Sequence, residues 1–129
     1  MSFRGVYTSV VELRQKVFTE VARMAFEGGD YSRIIDLPYR IIPGEVATYR
    51  ESVFLERAIV EERLRLAIGL PLRNMTEHAP VSNGIEESAI AEKYYDPPLV
   101  NIIKFACHSC PDQEMRVTDA CQGCLAHPC

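Results

Sequence analysis

The chain of 129 residues suits one small domain with a short appendix, and its 47% apolar content argues against disorder. Its 14 basic and 18 acidic residues give a formal net charge of −4 without runs of like charge, so nucleic acid is not expected as a partner. The sequence shows neither a secretory signal nor an apolar stretch of membrane-spanning length, which indicates a cytoplasmic protein with no membrane partner.

The first predicted element is an amphipathic helix from about residue 10 to 27. Ser9 and Glu12 form a capping-box pattern, and Gly28-Gly29 supplies a stop. Arg14 interrupts the apolar face of this helix. We expect Arg14 either to extend its charged end to solvent or to pair with a carboxylate of a neighbouring helix.

A second helix is predicted from about residue 46 to 68, after an extended connector over residues 30–45, and Gly69 is its C-terminal stop. Glu61 and Arg65 have the spacing of an i,i+4 ion pair. Two apolar stripes lie on nearly opposite sides of this helix: Val53, Val60, Leu64, Ala67 and Ile68 on one, and Leu55, Ile59 and Leu66 on the other. Either residues 41–42 and 99–105 cover the second stripe, or it is an interface to further protein.

The rest of the chain is predicted to be irregular up to residue 98, with a short helical candidate at 85–94. Residues 99–106 and 114–118 are rich in β-branched and aromatic side chains and predict two strands of a hairpin. The predicted fold class is therefore α+β. We divide the chain into a helical N-terminal region at 1–73, an irregular linker at 74–98 and a cysteine-rich segment at 99–129.

All five cysteines lie in that last segment, and in the cytoplasm clustered cysteines are more often metal ligands than disulfides. Three kinds of site fit the spacing. One is a closed zinc or iron site formed by Cys107, Cys110, Cys121 and Cys124. Another is a 4Fe–4S cluster begun by Cys121, Cys124 and Cys129. The third is a thiol redox pair in either Cys-x-x-Cys. Spacing alone favours zinc.

Two histidines, His108 and His127, stand next to these cysteines. Because thiolates dominate sites of this kind, we interpret both histidines as neighbours of the ligands rather than as ligands.

The motif Val117-Thr-Asp-Ala-Cys121-Gln-Gly-Cys124 resembles the opening of a bacterial-type ferredoxin domain, although four residues separate Cys124 from Cys129 where the family has two. A longer resemblance, to the N-terminal region of monomeric iron-only (FeFe) hydrogenases of anaerobic bacteria, covers about residues 41–129. It is carried by the segments Ile41-Ile-Pro-Gly-Glu45, Tyr49-Arg-Glu-Ser-Val-Phe54, Glu56-Arg-Ala-Ile-Val-Glu-Glu-Arg63, Leu66-Ala-Ile-Gly-Leu-Pro71, Asn101-Ile-Ile-Lys-Phe-Ala-Cys107 and Val117 to Cys129.

The resemblance implies that the hairpin leads into the start of a ferredoxin-like module. It also implies that Cys121, Cys124 and Cys129 bind a 4Fe–4S cluster whose fourth ligand lies beyond Cys129. Cys107 and Cys110 match the resemblance as further metal ligands. The implied role is electron relay between a ferredoxin-type carrier and a catalytic hydrogenase domain that follows this sequence. No residue of this chain is expected to be catalytic.

Overall fold

The computed structural model of the protein describes residues 7–87 and 100–107 and the single positions 120, 123 and 125. The α-helices of this part are α1 (Ser9–Phe26), α2 (Leu37–Ile41) and α3 (Val53–Ala67). Short 3-10 turns lie at Tyr31–Asp36, Ile85–Glu87 and Lys104–Ala106.

Helix α1 confirms the first predicted helix, with its cap one residue earlier than the sequence pattern indicates. The N-cap is Thr8, whose Oγ1 accepts a hydrogen bond from the Val11 amide at 3.4 Å. Glu12 pairs with Lys16 one turn later at 2.8 Å instead of completing a capping box. The chain leaves the helix through Gly28 and Gly29 at positive φ, as predicted.

Helix α3 starts at Val53 and not near residue 46, so the prediction was wrong for its first turns. Ser52 is the N-cap and accepts from the Leu55 amide at 3.2 Å. The amides of Thr48, Tyr49 and Arg50 donate to the Glu56 side chain of α3. They are therefore not used in the backbone hydrogen bonds of an earlier helical turn. At the other end, Gly69 has a φ of +81°, and the Leu70 amide closes the last turn on the Arg65 carbonyl at 2.8 Å, so the predicted stop is confirmed.

The predicted extended connector over residues 30–45 is also wrong. Asp30 starts a 3-10 turn by accepting from the Ser32 amide at 3.0 Å, and this turn runs directly into α2. Pro38 lies at the beginning of α2, where the missing N–H of proline costs no hydrogen bond. Proline here belongs to the first turn of a helix and does not interrupt one.

The hydrophobic core lies where α1 and α2 pack against α3. The first predicted stripe of α3 is largely confirmed, since Val53, Val60, Leu64 and Ile68 are buried. The members of the main core cluster are Leu13, Val17, Met24, Ile34, Leu37, Ile41, Ile42, Val53, Val60, Leu64, Ile68, Leu70 and Val81.

On the second stripe, Ile59 is also buried but lies outside the main cluster, whereas Leu55 and Leu66 are half-buried. Residues 102–105 line a cavity together with Glu62 of α3 and therefore lie beside this helix. At Ile59, the burial favours the alternative in which this chain covers the second stripe over an interface to further protein.

The predicted α+β class is wrong for the part of the chain that the structure describes, because this part contains helices and no strand. Residues 100–103 are irregular, and Lys104–Ala106 form a 3-10 turn in place of the first strand of the hairpin. The β-branched side chains of Val100 and Ile102 are 76% and 73% exposed. High β-propensity does not make a strand without a neighbouring strand to pair with. The second predicted strand, 114–118, lies outside the described residues.

Within residues 7–87 and 100–107, no helix has both the length and the apolarity that crossing a membrane requires.

Candidate cysteine site and its arginine clamp

Cys107 is the one predicted metal ligand that falls within the described residues; Cys110, Cys121, Cys124 and Cys129 lie outside them. Cys107 caps the 3-10 turn Lys104–Ala106, and its amide donates to the Lys104 carbonyl at 3.3 Å. The residue is exposed. The first cysteine of the block therefore stands at the surface, on a turn that the rest of the described chain must hold in place.

The side chain of Arg50 holds this turn by binding the turn's backbone carbonyls. The Nη2 group of Arg50 donates to the Ala106 carbonyl, and its Nη1 group donates to the Cys107 carbonyl at 3.3 Å. The planar guanidinium suits two successive carbonyls because its N–H groups are fixed in a fork. We call these two hydrogen bonds the arginine clamp. It joins the loop before α3 to the start of the cysteine block.

The loop that carries Arg50 is itself fixed by Glu56 in the first turns of α3. Glu56 Oε1 accepts the amides of Thr48, Tyr49 and Arg50 at 2.7, 2.6 and 3.0 Å. The position of Arg50, and through it that of the Cys107 backbone, thus depends on one carboxylate.

Glu56 is fully buried, at 0% exposure, yet its environment favours the charged form. Burial alone raises the pKa of this carboxyl, but hydrogen bonds from the Tyr49, Arg50 and Thr48 amides and the Thr48 hydroxyl outweigh it, and the net pKa is lowered. Its place near the N-terminus of α3 adds favourable electrostatics. Glu56 is therefore a buried anion at neutral pH, stabilised by backbone donors rather than by a cation.

Other charged residues of α3 hold loops in the same way, and sequence reasoning missed this role. The predicted ion pair of Glu61 with Arg65 is not formed. Arg65 instead donates to the carbonyls of Pro71, Val81 and Asn83 at 3.0, 2.8 and 2.7 Å. Side-chain hydrogen bonds to irregular backbone carry no helical spacing, so the sequence pattern offered no direct signal for them.

The carboxylates on this side of α3 bind Arg73. Arg73 Nη2 lies 2.6 Å from Glu61 Oε2, and its Nε lies 2.5 Å from Glu62 Oε1. Burial alone lowers the pKa of Arg73. The hydrogen bonds and negative charge of Glu62 and Glu61 raise it by more, so the net pKa is raised. Arg73 also donates to the Ala79 carbonyl at 2.9 Å, so residues 72–83 are tied to α3 without regular secondary structure of their own.

An open cleft of about 510 Å³ lies beside the cysteine turn, between α1, α3 and residues 101–107. Arg14 and Arg63 line this cleft together with Cys107. Arg14 is exposed, as the solvent-facing alternative expects, and it has no carboxylate partner within 4.0 Å in the described ranges. Two arginines therefore line the same cleft as the described cysteine.

Within the part of the chain that the structure describes, no group of three or more His, Cys, Asp or Glu side chains has the arrangement of a metal site. Cys107 belongs to that part, and the other four cysteines do not.

Comparisons with known proteins found no match to this chain among family models, curated proteins or solved structures. The resemblance to the N-terminal region of FeFe hydrogenases, and the ligands that it implies, stay predictions based on the motifs quoted above.

Proposed function

We propose that this chain is an electron-transfer segment that binds a 4Fe–4S cluster in a hydrogenase-type enzyme. In this role it accepts and passes on single electrons between a ferredoxin-type carrier and a catalytic domain that oxidises hydrogen or reduces protons. The observation that carries the proposal is the cysteine block itself, with Cys121-Gln-Gly-Cys124 followed by Cys129.

The chemistry of the donors fits such a cluster. Thiolates are the usual ligands of iron–sulfur clusters, and this segment offers five cysteines within 23 positions, from Cys107 to Cys129. Cys121, Cys124 and Cys129 would hold the cluster, and Cys107 with Cys110 would add ligands to it or to a second site. When bound, the cluster supplies one-electron redox chemistry.

Two features of the described part support this role. The arginine clamp attaches the backbone at Cys107, where the cysteine block starts, to the loop before α3. Such an attachment would help to fix a redox centre relative to the helices. Arg14 and Arg63, beside Cys107, supply positive charge next to a segment that becomes anionic when its thiols bind metal. Nearby charge and hydrogen bonding are among the factors that set a cluster potential.

The test is metal and sulfide analysis of the 129-residue chain, produced and purified without oxygen in the presence of a small thiol, which can take the place of the fourth ligand implied beyond Cys129. We expect about four iron and four acid-labile sulfide per chain, and an electron paramagnetic resonance signal after reduction with dithionite. One zinc per chain without sulfide would instead establish the closed zinc site. A chain that holds neither metal after anaerobic reconstitution with iron, sulfide and the same thiol would also contradict the proposal.

Serine variants assign the ligands. Cys121→Ser, Cys124→Ser and Cys129→Ser are each expected to remove most of the iron. Cys107→Ser separates the two possible roles of the first pair: it lowers the iron content if Cys107 shares the cluster and leaves it unchanged if Cys107 serves another site. His127→Gln, between two ligands but predicted not to bind, is the matched control and should keep its iron.

A further inference from the structure

The cleft beside the cysteine turn has a charged end, and its described lining residues supply no counter-charge. Arg14 and Arg63 are the charged side chains among its described lining residues, and none of these is acidic. Arg63 is half-buried, and its Nε atom is buried without a hydrogen-bond partner among the residues described. A buried donor of this kind is uncommon in proteins, since leaving it unpaired costs stability.

The electrostatics point the same way. Burial, and then the charge of Arg14, lower the pKa of Arg63, whereas Tyr49 has a smaller opposing effect. Two guanidinium groups that repel each other at the wall of one cleft are stabilised by an anion between or beside them. Carboxylate is the anion whose two oxygens match the guanidinium fork.

The remainder of the cleft is apolar. Its walls include Val17, Phe18 and Leu66, with Ile102 and Ile103 on the opposite segment. Phe18 lines the cleft and is 62% exposed, so it offers an aromatic surface to a ligand. A volume of about 510 Å³ lies within the range of clefts that bind small molecules.

From this combination we propose that the cleft binds a small carboxylic acid with an apolar body. Arg63 and Arg14 hold the carboxylate, and the apolar walls contact the aromatic or aliphatic part. Cys107 also lines the cleft. The inference does not depend on which metal the cysteines bind, because the residues proposed to contact the ligand are the two arginines and the apolar side chains, and none of these is a predicted metal ligand.

Benzoate is the probe for the test, and benzyl alcohol is its neutral analogue. Binding is followed on the 129-residue chain by amide chemical shifts at constant ionic strength. We expect benzoate to shift amides of residues 14–18, 63–67 and 101–107, and benzyl alcohol to bind about tenfold more weakly. Acetate, which has the charge without the apolar body, is also expected to bind about tenfold more weakly.

Three variants locate the site. Arg63→Gln should weaken benzoate binding about tenfold, and Arg14→Gln, at a more exposed position, about threefold. Arg33→Gln is the control, because Arg33 is an exposed arginine paired with Glu27 away from the cleft, and it should leave benzoate binding unchanged. If Arg63→Gln fails to fold by circular dichroism, Arg14→Gln carries the test, since Arg14 is exposed and is not part of the core.

The proposal is overturned if benzoate causes no shifts around the cleft, which would mean that the site is closed to ligands. It is equally overturned if benzyl alcohol binds as tightly as benzoate, or if Arg14→Gln leaves the benzoate affinity unchanged. Acetate binding as tight as that of benzoate would contradict the apolar part of the site.

Discussion

Arg50 donates a hydrogen bond to the backbone carbonyl of Cys107 at 3.3 Å, across 57 positions of the sequence. The same guanidinium donates to the Ala106 carbonyl. Because Glu56 in turn holds the Arg50 amide, the buried carboxylate of α3 and the first cysteine of the block are connected through one residue.

Replacing Arg50 with glutamine should release the turn that ends at Cys107. The amides of Ala106 and Cys107, which close this turn on the carbonyls of Ile103 and Lys104, are then expected to exchange with solvent about tenfold faster. Hydrogen exchange measured by mass spectrometry or nuclear magnetic resonance checks this. Arg33→Gln removes an exposed arginine elsewhere and serves as the control. Equal protection in Arg50→Gln and the unchanged protein would show that the clamp does not hold the turn.

Replacing Glu56 with glutamine should cost about 2–3 kcal/mol of unfolding free energy at pH 7. Glutamine keeps an acceptor oxygen but lacks the charge, while the amides of Thr48, Tyr49 and Arg50 stay aimed at it. Urea unfolding measures the change. Glu12→Gln, which affects an exposed pair with Lys16, should cost less than about 0.5 kcal/mol.

The cost of Glu56→Gln should also depend on pH in a definite direction. The pKa of Glu56 is lowered in the folded protein, so near pH 4 the unfolded chain binds more protons than the folded one. The contribution of Glu56 to stability is therefore complete above about pH 5 and is lost as pH falls through the unfolded value, about 4.3, towards the lowered folded value. The difference in stability between the protein and Glu56→Gln should narrow over that range. A constant difference from pH 7 to pH 3 would contradict the charged state assigned to Glu56.

Periodicity and capping signals in the sequence were sufficient to predict α1 and the C-terminal end of α3. The apolar spacing around Val17 and the glycines at 28, 29 and 69 act within a few positions of the chain, and such local effects can be read from a sequence. The start of α3 required more, because Ser52 is a good N-cap but the residues before it also permit a helix. The hydrogen bonds from residues 48–50 to Glu56 decide between the two, and they depend on the tertiary arrangement.

The structure of the segment that leads into the cysteines could not be predicted from local sequence. Val100 and Ile102 have strand propensity, yet the described segment is irregular and is held by Arg50, which lies far away in the sequence. No pattern around Arg50 indicates that its side chain reaches Ala106. The cysteine spacing indicates the chemistry of the block. The arginine clamp and the cleft of Arg14 and Arg63 depend on tertiary contacts, which the sequence pattern does not reveal.

Truncating a side chain should cost more unfolding free energy on the first apolar stripe of α3 than on the second. Val60 is 0% exposed in the main cluster, so Val60→Ala removes two fully buried methyl groups and should cost about 2–3 kcal/mol. Leu66 is half-buried at the cleft, and Leu66→Ala should cost about 1 kcal/mol although it removes more carbon. Urea unfolding of both variants tests the order. A larger loss for Leu66→Ala would mean that this stripe is better covered than the described residues indicate.

Arg65 should be the most costly arginine to remove. Arg65 as a residue is 3% exposed, and its guanidinium donates to the Pro71, Val81 and Asn83 carbonyls. Arg65→Met keeps most of the volume but leaves these acceptors unpaired, so we expect a loss of about 3 kcal/mol in urea unfolding. Cleavage by a protease should also become faster within residues 72–83.

Arg40→Met is the matched control for this variant, since Arg40 is an exposed arginine 3.5 Å from Glu20 and should contribute less than about 0.5 kcal/mol. Arg65→Lys keeps the charge without the fork and is expected to fall between the two, because an ammonium group cannot reach acceptors on both residue 71 and residues 81–83 in the same geometry. A loss below about 1 kcal/mol for Arg65→Met would show that water replaces the guanidinium at these carbonyls. In that case the loop after α3 is held by Arg73 and its two carboxylates rather than by Arg65.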